Sequence, residues 1–258
     1  RDKDAMNGNA VMYDIRKILA VGGAPSYEDA DATRNATLIF IDSTNLAVNP
    51  HTIAPMNYPR AFANSVALPS GQVVVVGGQT RAQPFSDDGA VLTPEIWSPE
   101  TETFTLLQKQ GVPRTYHSIA LLLPDGRVLS GGGGLCGGCS TNHADVEILT
   151  PPYLFNPDGS LASRPKILSA PTSASLGSSI SVSTDRTVKA FVLMRLSSVT
   201  HSLNNEQRRI PLPFSPSRAG QYVLNIPGDS GVAVPGYYML FALDTNGVPS
   251  VSSTIQIH

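Results

Sequence analysis

Three copies of one pattern occur along the chain: KILAVGG at residues 17–23, QVVVVGG at residues 72–78 and RVLSGGG at residues 127–133. In each copy, a run of mostly apolar or small residues ends in glycines, the first of which are Gly22, Gly77 and Gly131. Such a run indicates a buried strand, and the glycines indicate a close approach of two backbones or a positive φ. The spacings of 55 and 54 residues between these glycines predict a structural repeat.

Two further landmarks recur at nearly the same spacing. RAF at residues 60–62 is followed by RTY at residues 114–116, and EIWSP at residues 95–99 is followed by EILTP at residues 147–151. A period of about 50 residues, several strands in each unit and a Gly-Gly pair ending the inner strand are features of kelch propellers. Each unit is therefore predicted to be a four-stranded blade.

About three blades are visible, whereas a closed propeller usually has about four to eight. Three blades alone would leave exposed strand edges, which favour aggregation. The remaining blades are therefore expected from another part of the protein. Because the opening residues RDKD contain neither a start methionine nor a signal peptide, we expect a processed chain or a piece of a longer polypeptide.

The repeat ends near residue 156, and a different pattern follows. After the turn sequence NPDG at residues 156–159, short alternating strands are separated by Pro-Gly, Asn-Gly and Gly-Asp breaks up to residue 258. About seven such strands in roughly a hundred residues predict an immunoglobulin-like sandwich. The sequence therefore predicts an all-β protein, with the last blades of a propeller in residues 1–155 and a β-sandwich in residues 156–258.

The composition argues against several classes of partner. The 258 residues carry a net charge of −2, with 41% hydrophobic and 15% charged residues. No stretch of the sequence approaches the roughly 18 unbroken apolar residues of a membrane helix. Because there is also no basic tail or arginine stripe, we expect neither a nucleic acid nor a membrane as partner.

The only two cysteines of the sequence are Cys136 and Cys139, and their spacing permits three interpretations. A redox-active pair usually opens a helix after a strand, and a zinc half-site needs further ligands, of which only His143 follows closely. A structural disulfide in a glycine-rich loop fits best and favours an oxidising compartment, which indicates a secreted, extracellular protein. The sequon at Asn35 agrees with secretion, although it is common by chance.

Tyr116 and His117 are the first candidates for a functional site. When the repeats are aligned on their arginines, this pair corresponds to Phe62 and Ala63, so the scaffold does not require a phenol and an imidazole there. A polar pair that replaces apolar scaffold residues near a propeller axis is typical of a grafted site. Local hydrogen bonding of both side chains is an equally good alternative at this point.

His201 is the next candidate. It stands in the segment SVTHSLN at residues 198–204, between two predicted strands of the second domain. The tip of such a loop can reach a neighbouring domain and contribute to a site there. Taken alone, a histidine in this position is more often a solvated residue of a surface loop.

Several longer motifs, in order along nearly the whole chain, resemble the galactose oxidase family of copper-radical alcohol oxidases. They are GNAVMYD at 8–14, DAT at 31–33, RTYHS at 114–118, LLPDGR at 122–127, GGGGLCGGC at 131–139, TNH at 141–143, QRRIP at 207–211, DSGV at 229–232, PGY at 235–237 and GVPS at 247–250. The resemblance covers only the latter part of the family's polypeptide.

The resemblance implies a copper ion on the axis of a seven-bladed propeller. Tyr116 matches the axial ligand, which takes the hydroxyl proton of the substrate, and His117 matches an equatorial ligand. His201 matches the second equatorial ligand, on a hairpin that the sandwich domain inserts into the central channel. Two imidazoles and a phenolate suit Cu(II), but they also suit zinc, so the ligand types alone do not select copper.

The resemblance also implies a fourth ligand that this sequence lacks, a tyrosine joined by a thioether to a cysteine, which stores an oxidising equivalent as a radical. Cys136 and Cys139 match the family's structural Cys-x-x-Cys instead. The Tyr-Cys cofactor is therefore expected on a companion chain, the N-terminal part of the same enzyme, which would also complete the propeller. The implied reaction oxidises a primary alcohol to an aldehyde and reduces O2 to hydrogen peroxide.

Four residues match the family's substrate pocket, namely Tyr27, Glu28, Phe62 and Phe85. Glu28 stands where galactose oxidase has glutamine, and because an ionised carboxylate only accepts hydrogen bonds, the recognition of sugar hydroxyls should change. Aromatic walls at Phe62 and Phe85 can stack on a sugar or an aryl alcohol, although core packing is their alternative role. The expected substrate is therefore a primary alcohol of sugar, aryl or aliphatic type.

A different class of function fits the same repeats. Many propellers only bind a partner, so a non-catalytic carbohydrate-binding or interaction kelch propeller is the alternative. This alternative predicts that the protein binds no copper and that a His201→Ala change leaves its function intact.

Overall fold

The computed structural model describes residues 3–258, and these fold almost entirely as β-strands. The described residues form 24 strands and one short 3-10 helix, Pro152–Leu154. Within this part of the chain, no helix is both long and apolar enough to cross a membrane. The predicted all-β class is confirmed.

Three separate sheets follow one another in the first part of the chain. The first contains β1 (Asn9–Asp14), β2 (Lys17–Val21), β4 (Ala36–Ile41) and β5 (Val48–Thr52), and the second contains β6 (Ala61–Ala67), β7 (Val73–Gln79), β9 (Glu95–Ser98) and β10 (Thr103–Leu106). The third contains β11 (Ser118–Leu122), β12 (Val128–Gly132) and β13 (Val146–Leu149). A short pair, β3 (Ala30–Asp31) and β8 (Arg81–Ala82), joins the first two sheets. Neighbouring strands in all three sheets are antiparallel, as in propeller blades.

A buried arginine ties the second blade together. The guanidinium of Arg60 lies 2.9 Å from the carboxylate of Glu95 and donates to the carbonyl oxygen of Gly77 at 2.7 Å, and the Arg60 and Glu95 side chains are both 0% exposed. Glu95 also accepts hydrogen bonds from the backbone nitrogens of Asn57 and Tyr58. Because a buried ion pair is tolerated only when its remaining donors and acceptors are largely satisfied, this network fixes the loop before β6.

Arg114 repeats the arrangement in the third blade. Its side chain, also 0% exposed, donates to the carbonyl oxygen of Gly132 at 3.0 Å and lies 2.8 Å from Asp145 and 3.5 Å from Glu147. The recurring arginine and glutamate of the sequence are therefore partners within one blade.

The double glycines allow neighbouring blades to touch. The backbone nitrogen of Gly78 donates to the carbonyl oxygen of Arg114 at 2.7 Å, and Gly23 makes the equivalent bond to Arg60 at 2.8 Å. Gly77 has a φ of +69°, and a Cβ on it would lie 2.8 Å from the Cβ of Arg114, closer than real Cβ atoms approach. The repeat therefore needs glycine at the end of each inner strand.

The remaining strands form two facing sheets and a hairpin. One sheet contains β14 (Ile167–Ser169), β16 (Ser179–Thr184), β21 (Phe214–Arg218) and β22 (Gln221–Asn225), and the other contains β15 (Ser173–Ala174), β17 (Val188–Arg195), β20 (Arg209–Leu212), β23 (Gly236–Asp244) and β24 (Ser253–Ile257). The hairpin consists of β18 (Ser198–Thr200) and β19 (Leu203–Asn205). Phe191, Tyr222 and Tyr238 are buried in the core of this region. The predicted sandwich is confirmed, whereas the domain boundary between residues 155 and 156 stays a prediction.

A shared core joins the sandwich to the blades. Val192 on β17 and Phe241 on β23 belong to the same hydrophobic cluster as Val11 of the first blade and Trp97 of the second. All four side chains are 0% exposed. The sandwich is thus packed firmly against the blades, and this contact positions the hairpin that follows β17.

A glycine substitution should separate the effect of the inter-blade contact from that of backbone conformation. Gly77→Ala should lower the free energy of unfolding by about 1 kcal/mol for the positive φ and by a further 1–3 kcal/mol, roughly, for the clash with Arg114. Gly159→Ala is the matched control, because Gly159 has a φ of +83° and open space where the Cβ would lie. Urea denaturation of both variants checks the difference, and equal losses would contradict the contact.

Candidate metal centre

Tyr116 and His117 lie immediately before β11, and hydrogen bonding identifies their equivalents in the second blade. The carbonyl oxygen of Tyr116 accepts a bond from the backbone nitrogen of Gly134 at 2.9 Å. In the second blade, Ala61 pairs with Gln79, which is 55 residues before Gly134. Tyr116 therefore takes the place of Ala61, and His117 takes the place of Phe62.

The sequence alignment of Phe62 and Ala63 with Tyr116 and His117 was wrong by one residue. The connection from Arg114 to Tyr116 is one residue longer than the equivalent connection from Arg60 to Ala61, so an alignment on the arginines is shifted by one residue. The backbone supports the new equivalence, because Asn7, Phe62 and His117, each 55 residues from the next, all have a positive φ, of 62°, 58° and 64°. The conclusion that this scaffold position does not require a phenol and an imidazole is unchanged.

His201 lies at the tip of the β18–β19 hairpin. The hairpin turn consists of His201 and Ser202, which have φ values of 52° and 63°. A two-residue turn with a positive φ at both positions normally carries Asn-Gly. Glycine has no Cβ and asparagine tolerates this conformation, whereas most other residues are strained in it. Strained backbone held in place by its surroundings is typical of functional sites.

The hairpin is anchored on the blades by three side chains. Ser202 Oγ donates to the carbonyl oxygen of Thr115 at 3.2 Å, and Asn204 Nδ2 donates to that of Ala120 at 3.3 Å. Gln207 accepts from the backbone nitrogen of Ala67 at 3.0 Å and donates to the carbonyl oxygen of Ser65 at 2.7 Å. These bonds hold the imidazole of His201 next to the start of β11.

The three side chains predicted as ligands come together. The ring centroids of Tyr116 and His117 are 3.9 Å apart, those of His117 and His201 are 4.9 Å apart, and those of Tyr116 and His201 are 5.9 Å apart. Tyr116 is buried, His117 is partly buried and His201 is exposed. Residues 116–117 and 198–204 of the sequence gave no local sign of this convergence, which depends on contacts between distant segments.

The hydrogen bonds of the two imidazoles fit a metal site. Nδ1 of His117 lies 2.8 Å from the carbonyl oxygen of Gly134 and must donate to it, because a carbonyl only accepts. The lone pair of Nε2 is then free for a metal ion. Nδ1 of His201 lies 2.8 Å from Thr200 Oγ1, which orients that ring through the same nitrogen.

The types of donor fit copper. Among residues 3–258, no group of three or more His, Cys, Asp or Glu side chains could hold a metal ion. The phenol oxygen of Tyr116 is the further donor beside the two imidazoles. Two imidazoles with a phenolate suit Cu(II), and zinc fits the same donors.

Aromatic side chains surround Tyr116. The ring centroids of Phe62 and Phe85 are 5.1 and 4.9 Å from that of Tyr116, and Tyr27 is 6.0 Å away. Phe62 is buried, whereas Tyr27 and Phe85 are 43% and 46% exposed and can form a wall that faces a ligand. Glu28 is exposed and follows Tyr27 in the same loop.

The phenol of Tyr27 lies next to the candidate ligand Tyr116. Desolvation, and after it the neighbouring phenol of Tyr116, raises the pKa of Tyr27 to about 12. Asn7 positions this loop by donating from Nδ2 to the carbonyl oxygen of Tyr27 at 2.9 Å. The 55-residue spacing between Asn7 and Phe62 is the feature of the sequence that could have marked Asn7.

The cysteines are close to the same place. Cys136 and Cys139 form a disulfide with their Cα atoms 5.6 Å apart. The disulfide-bonded loop begins directly after Gly134, the partner of His117. Of the three interpretations of the Cys-x-x-Cys sequence, the structural disulfide is the one the structure contains.

The chain is similar to known oxidases in sequence and in structure. The family model "Glyoxal oxidase N-terminus" matches residues 13–144, and "Galactose oxidase-like, Early set domain" matches residues 164–257. A galactose oxidase of Gibberella zeae is 49% identical over 98% of this chain and 38% of its own length, and the aldehyde oxidase GLOX of Vitis pseudoreticulata is 31% identical over 82% and 44%. The chain thus spans less than half the length of these relatives.

A solved structure agrees over the whole chain. A fungal alcohol oxidase of the AA5 family in complex with copper has a TM-score of 0.95 and 42% identity, and the match covers 99% of this chain and 55% of that one.

The strain in the hairpin turn leads to a stability prediction. In the metal-free protein, His201→Asn should raise the free energy of unfolding by about 1 kcal/mol, because asparagine tolerates a positive φ better than histidine. The matched control is His51→Asn, since His51 is an exposed residue of β5 with an ordinary φ. Thermal unfolding of both variants checks this, and a loss of stability in His201→Asn would contradict the strain argument.

Proposed function

The chain belongs to the galactose oxidase family of copper oxidases, and from this membership we propose that it is the C-terminal part of a copper-radical alcohol oxidase. The proposed reaction converts a primary alcohol and O2 into an aldehyde and hydrogen peroxide. The alcohol gives up two electrons and two protons, and O2 takes up both, so the reaction balances. Similarity to a galactose oxidase and to a copper-containing alcohol oxidase supports this proposal.

One observation carries the proposal. A phenol and an imidazole on the third blade meet an imidazole from the sandwich hairpin, with Tyr116 and His201 separated by 85 positions in the sequence. Packing does not require these residues, because the corresponding positions of the other two blades carry Met6-Asn7 and Ala61-Phe62. Polar side chains that converge from two parts of a fold indicate a site rather than a core.

Each residue of the site has a role in the proposed reaction. His117 and His201 would hold copper through Nε2, and Tyr116 would hold it through its phenol oxygen. Copper, when bound, supplies a Lewis acid and takes up an electron. The oxygen of Tyr116 accepts the hydroxyl proton of the alcohol, and the hydroxyl of Tyr27 can stabilise that oxygen by donating to it. The buried Phe62 shields this exchange from water, and the half-exposed Tyr27 and Phe85 form the wall that faces the substrate.

The reaction needs an N-terminal companion, in our proposal. Both cysteines of the sequence are joined to each other, so the Tyr-Cys cofactor has to come from elsewhere. The third blade has three strands where the other two have four, and Val146 and Ile148 on its edge strand β13 are 59% and 41% exposed. An edge of this kind can accept a further strand. We expect the companion to complete this blade and the propeller.

Secretion is part of the same proposal. A disulfide persists in an oxidising environment, so Cys136–Cys139 supports an extracellular location.

Ligand substitutions test the proposal in the complete protein with its N-terminal part. His117→Ala and His201→Ala should each lower the affinity for copper by more than about 100-fold and abolish peroxide production, because each removes a ligand. His51→Ala is the matched control, since His51 lies on an exposed surface 3.6 Å from Glu102 and should leave both unchanged. Copper content and peroxide release are measured together, and full activity of His201→Ala would reject the proposal.

Metal exchange distinguishes copper from zinc. Chelation should remove the metal and the oxidase activity together. Zinc should then bind without restoring activity, because Zn²⁺ has no accessible redox change, whereas Cu²⁺ should restore it. Recovery of peroxide production with zinc alone would show that the chemistry differs from the one proposed.

A further inference from the structure

The loop that carries Phe85 is held from outside by residues that the proposed reaction does not use. His143 Nε2 lies 2.9 Å from Asp87 Oδ2, and Thr141 Oγ1 donates to the carbonyl oxygen of Phe85 at 3.4 Å. We call Asp87, Thr141 and His143 the clasp. Asp87 belongs to the Phe85 loop, whereas Thr141 and His143 follow the disulfide-bonded loop, so the clasp joins segments 56 residues apart.

Phe85 needs such support. Its φ is 60°, a conformation that a residue with a Cβ adopts only at a cost, and its side chain is 46% exposed, so burial contributes little to holding it. Nevertheless its ring stands edge-on to Tyr116 and His117, with centroid distances of 4.9 and 5.6 Å. Hydrogen bonds from the surrounding loops must therefore hold Phe85 in this position.

Asp87 has no second side-chain partner that could replace its contact with His143 among the described residues. The second carboxylate oxygen of Asp87, Oδ1, is buried and has no hydrogen-bond partner among the described residues. If His143 were lost, Oδ1 would stay buried without a partner unless the Asp87 side chain, which is 28% exposed, turned further towards water. Turning towards water would move the loop and displace Phe85, which stands two residues before Asp87.

The loop would shift without unfolding. Thr115 Oγ1 donates to the carbonyl oxygen of Ser86 at 3.2 Å, independently of the clasp. Thr141 is itself held by the disulfide loop, because its Oγ1 lies 3.2 and 3.0 Å from the sulfurs of Cys136 and Cys139. The middle of the loop thus remains attached when His143 is changed.

We propose that His143, through Asp87, is a positioning residue that sets the selectivity of the site for aromatic alcohols by fixing Phe85. The proposal rests on the proposed function for its substrates, but not for its geometry. A bulky aryl alcohol contacts the Phe85 wall, whereas a small alcohol reaches the metal ligands without it. Loss of the clasp therefore raises KM for the first kind of substrate and leaves kcat and the second kind unchanged.

Kinetics of the complete enzyme provide the first test. For benzyl alcohol, His143→Ala and Asp87→Ala should each raise KM about fivefold with kcat unchanged, which corresponds to the loss of one aromatic contact. For 1-propanol, KM should stay the same. The double variant should be no worse than either single variant, because both break one contact. His143→Gln, in which the amide can still donate to Asp87, should restore the low KM.

Binding to the metal-free protein provides a readout that does not depend on turnover. Ligand-observed NMR should show that benzyl alcohol binds about fivefold more weakly to both single variants. His51→Ala breaks the His51–Glu102 pair, a histidine–carboxylate contact on an exposed surface, and should change neither binding nor KM. If His143→Ala fails to fold, Asp87→Ala carries the test, since it breaks the same contact from the other side.

The outcomes separate this inference from the proposed function. An active enzyme in which both clasp variants keep the original KM and affinity for benzyl alcohol would overturn the inference. An unmodified protein that oxidises no alcohol, while benzyl alcohol still binds more weakly to the metal-free variants, would overturn the proposed function and leave the clasp intact.

Discussion

Arg114 connects two blades, one through its guanidinium group and the other through its backbone carbonyl oxygen. The side chain holds the third blade together through Gly132 and Asp145, and the carbonyl oxygen accepts the backbone nitrogen of Gly78 from the second blade. Tyr116 and His117 follow two and three residues later, so their positions depend on both contacts. A buried charge that several partners hold cannot shift without losing several bonds together. The candidate ligands are therefore preorganised by the scaffold before any metal arrives.

The remaining candidate ligand is positioned by different contacts. His201 is carried by a strained turn, and the bonds of Ser202 and Asn204 to the blades compensate for that strain. Because those acceptors are the backbone carbonyls of Thr115 and Ala120, the hairpin is tied to the segment that carries Tyr116 and His117. The buried Arg114 and the docked hairpin thus both fix the positions of the candidate ligands.

The sequence predicted the parts of the fold that local patterns encode. The apolar runs ending in Gly-Gly became inner strands, and the alternating segments near residues 179, 189, 221 and 237 became strands of the sandwich. The equivalence of Tyr116 with Ala61 could not be predicted, because one additional residue in a loop is invisible until backbone pairing fixes the register. The anchors of the hairpin and the contact of His143 with Asp87 were missed for a related reason. Their partners are 56 to 142 residues away, so no local spacing in the sequence indicates these contacts. The family resemblance, and not the residue pattern, named the three candidate ligands.

The core shared by Val11, Trp97, Val192 and Phe241 has a consequence for how molecules enter and leave the centre. A sandwich with an independent core could swing on a hinge and carry His201 away from the blades at each turnover. Such a movement would expose this shared hydrophobic core to water, so His201 is held in a fixed position relative to the blades. In the proposed reaction, substrate and product would therefore pass the segments that carry Tyr27 and Phe85, whose side chains are half-exposed and lie outside this core.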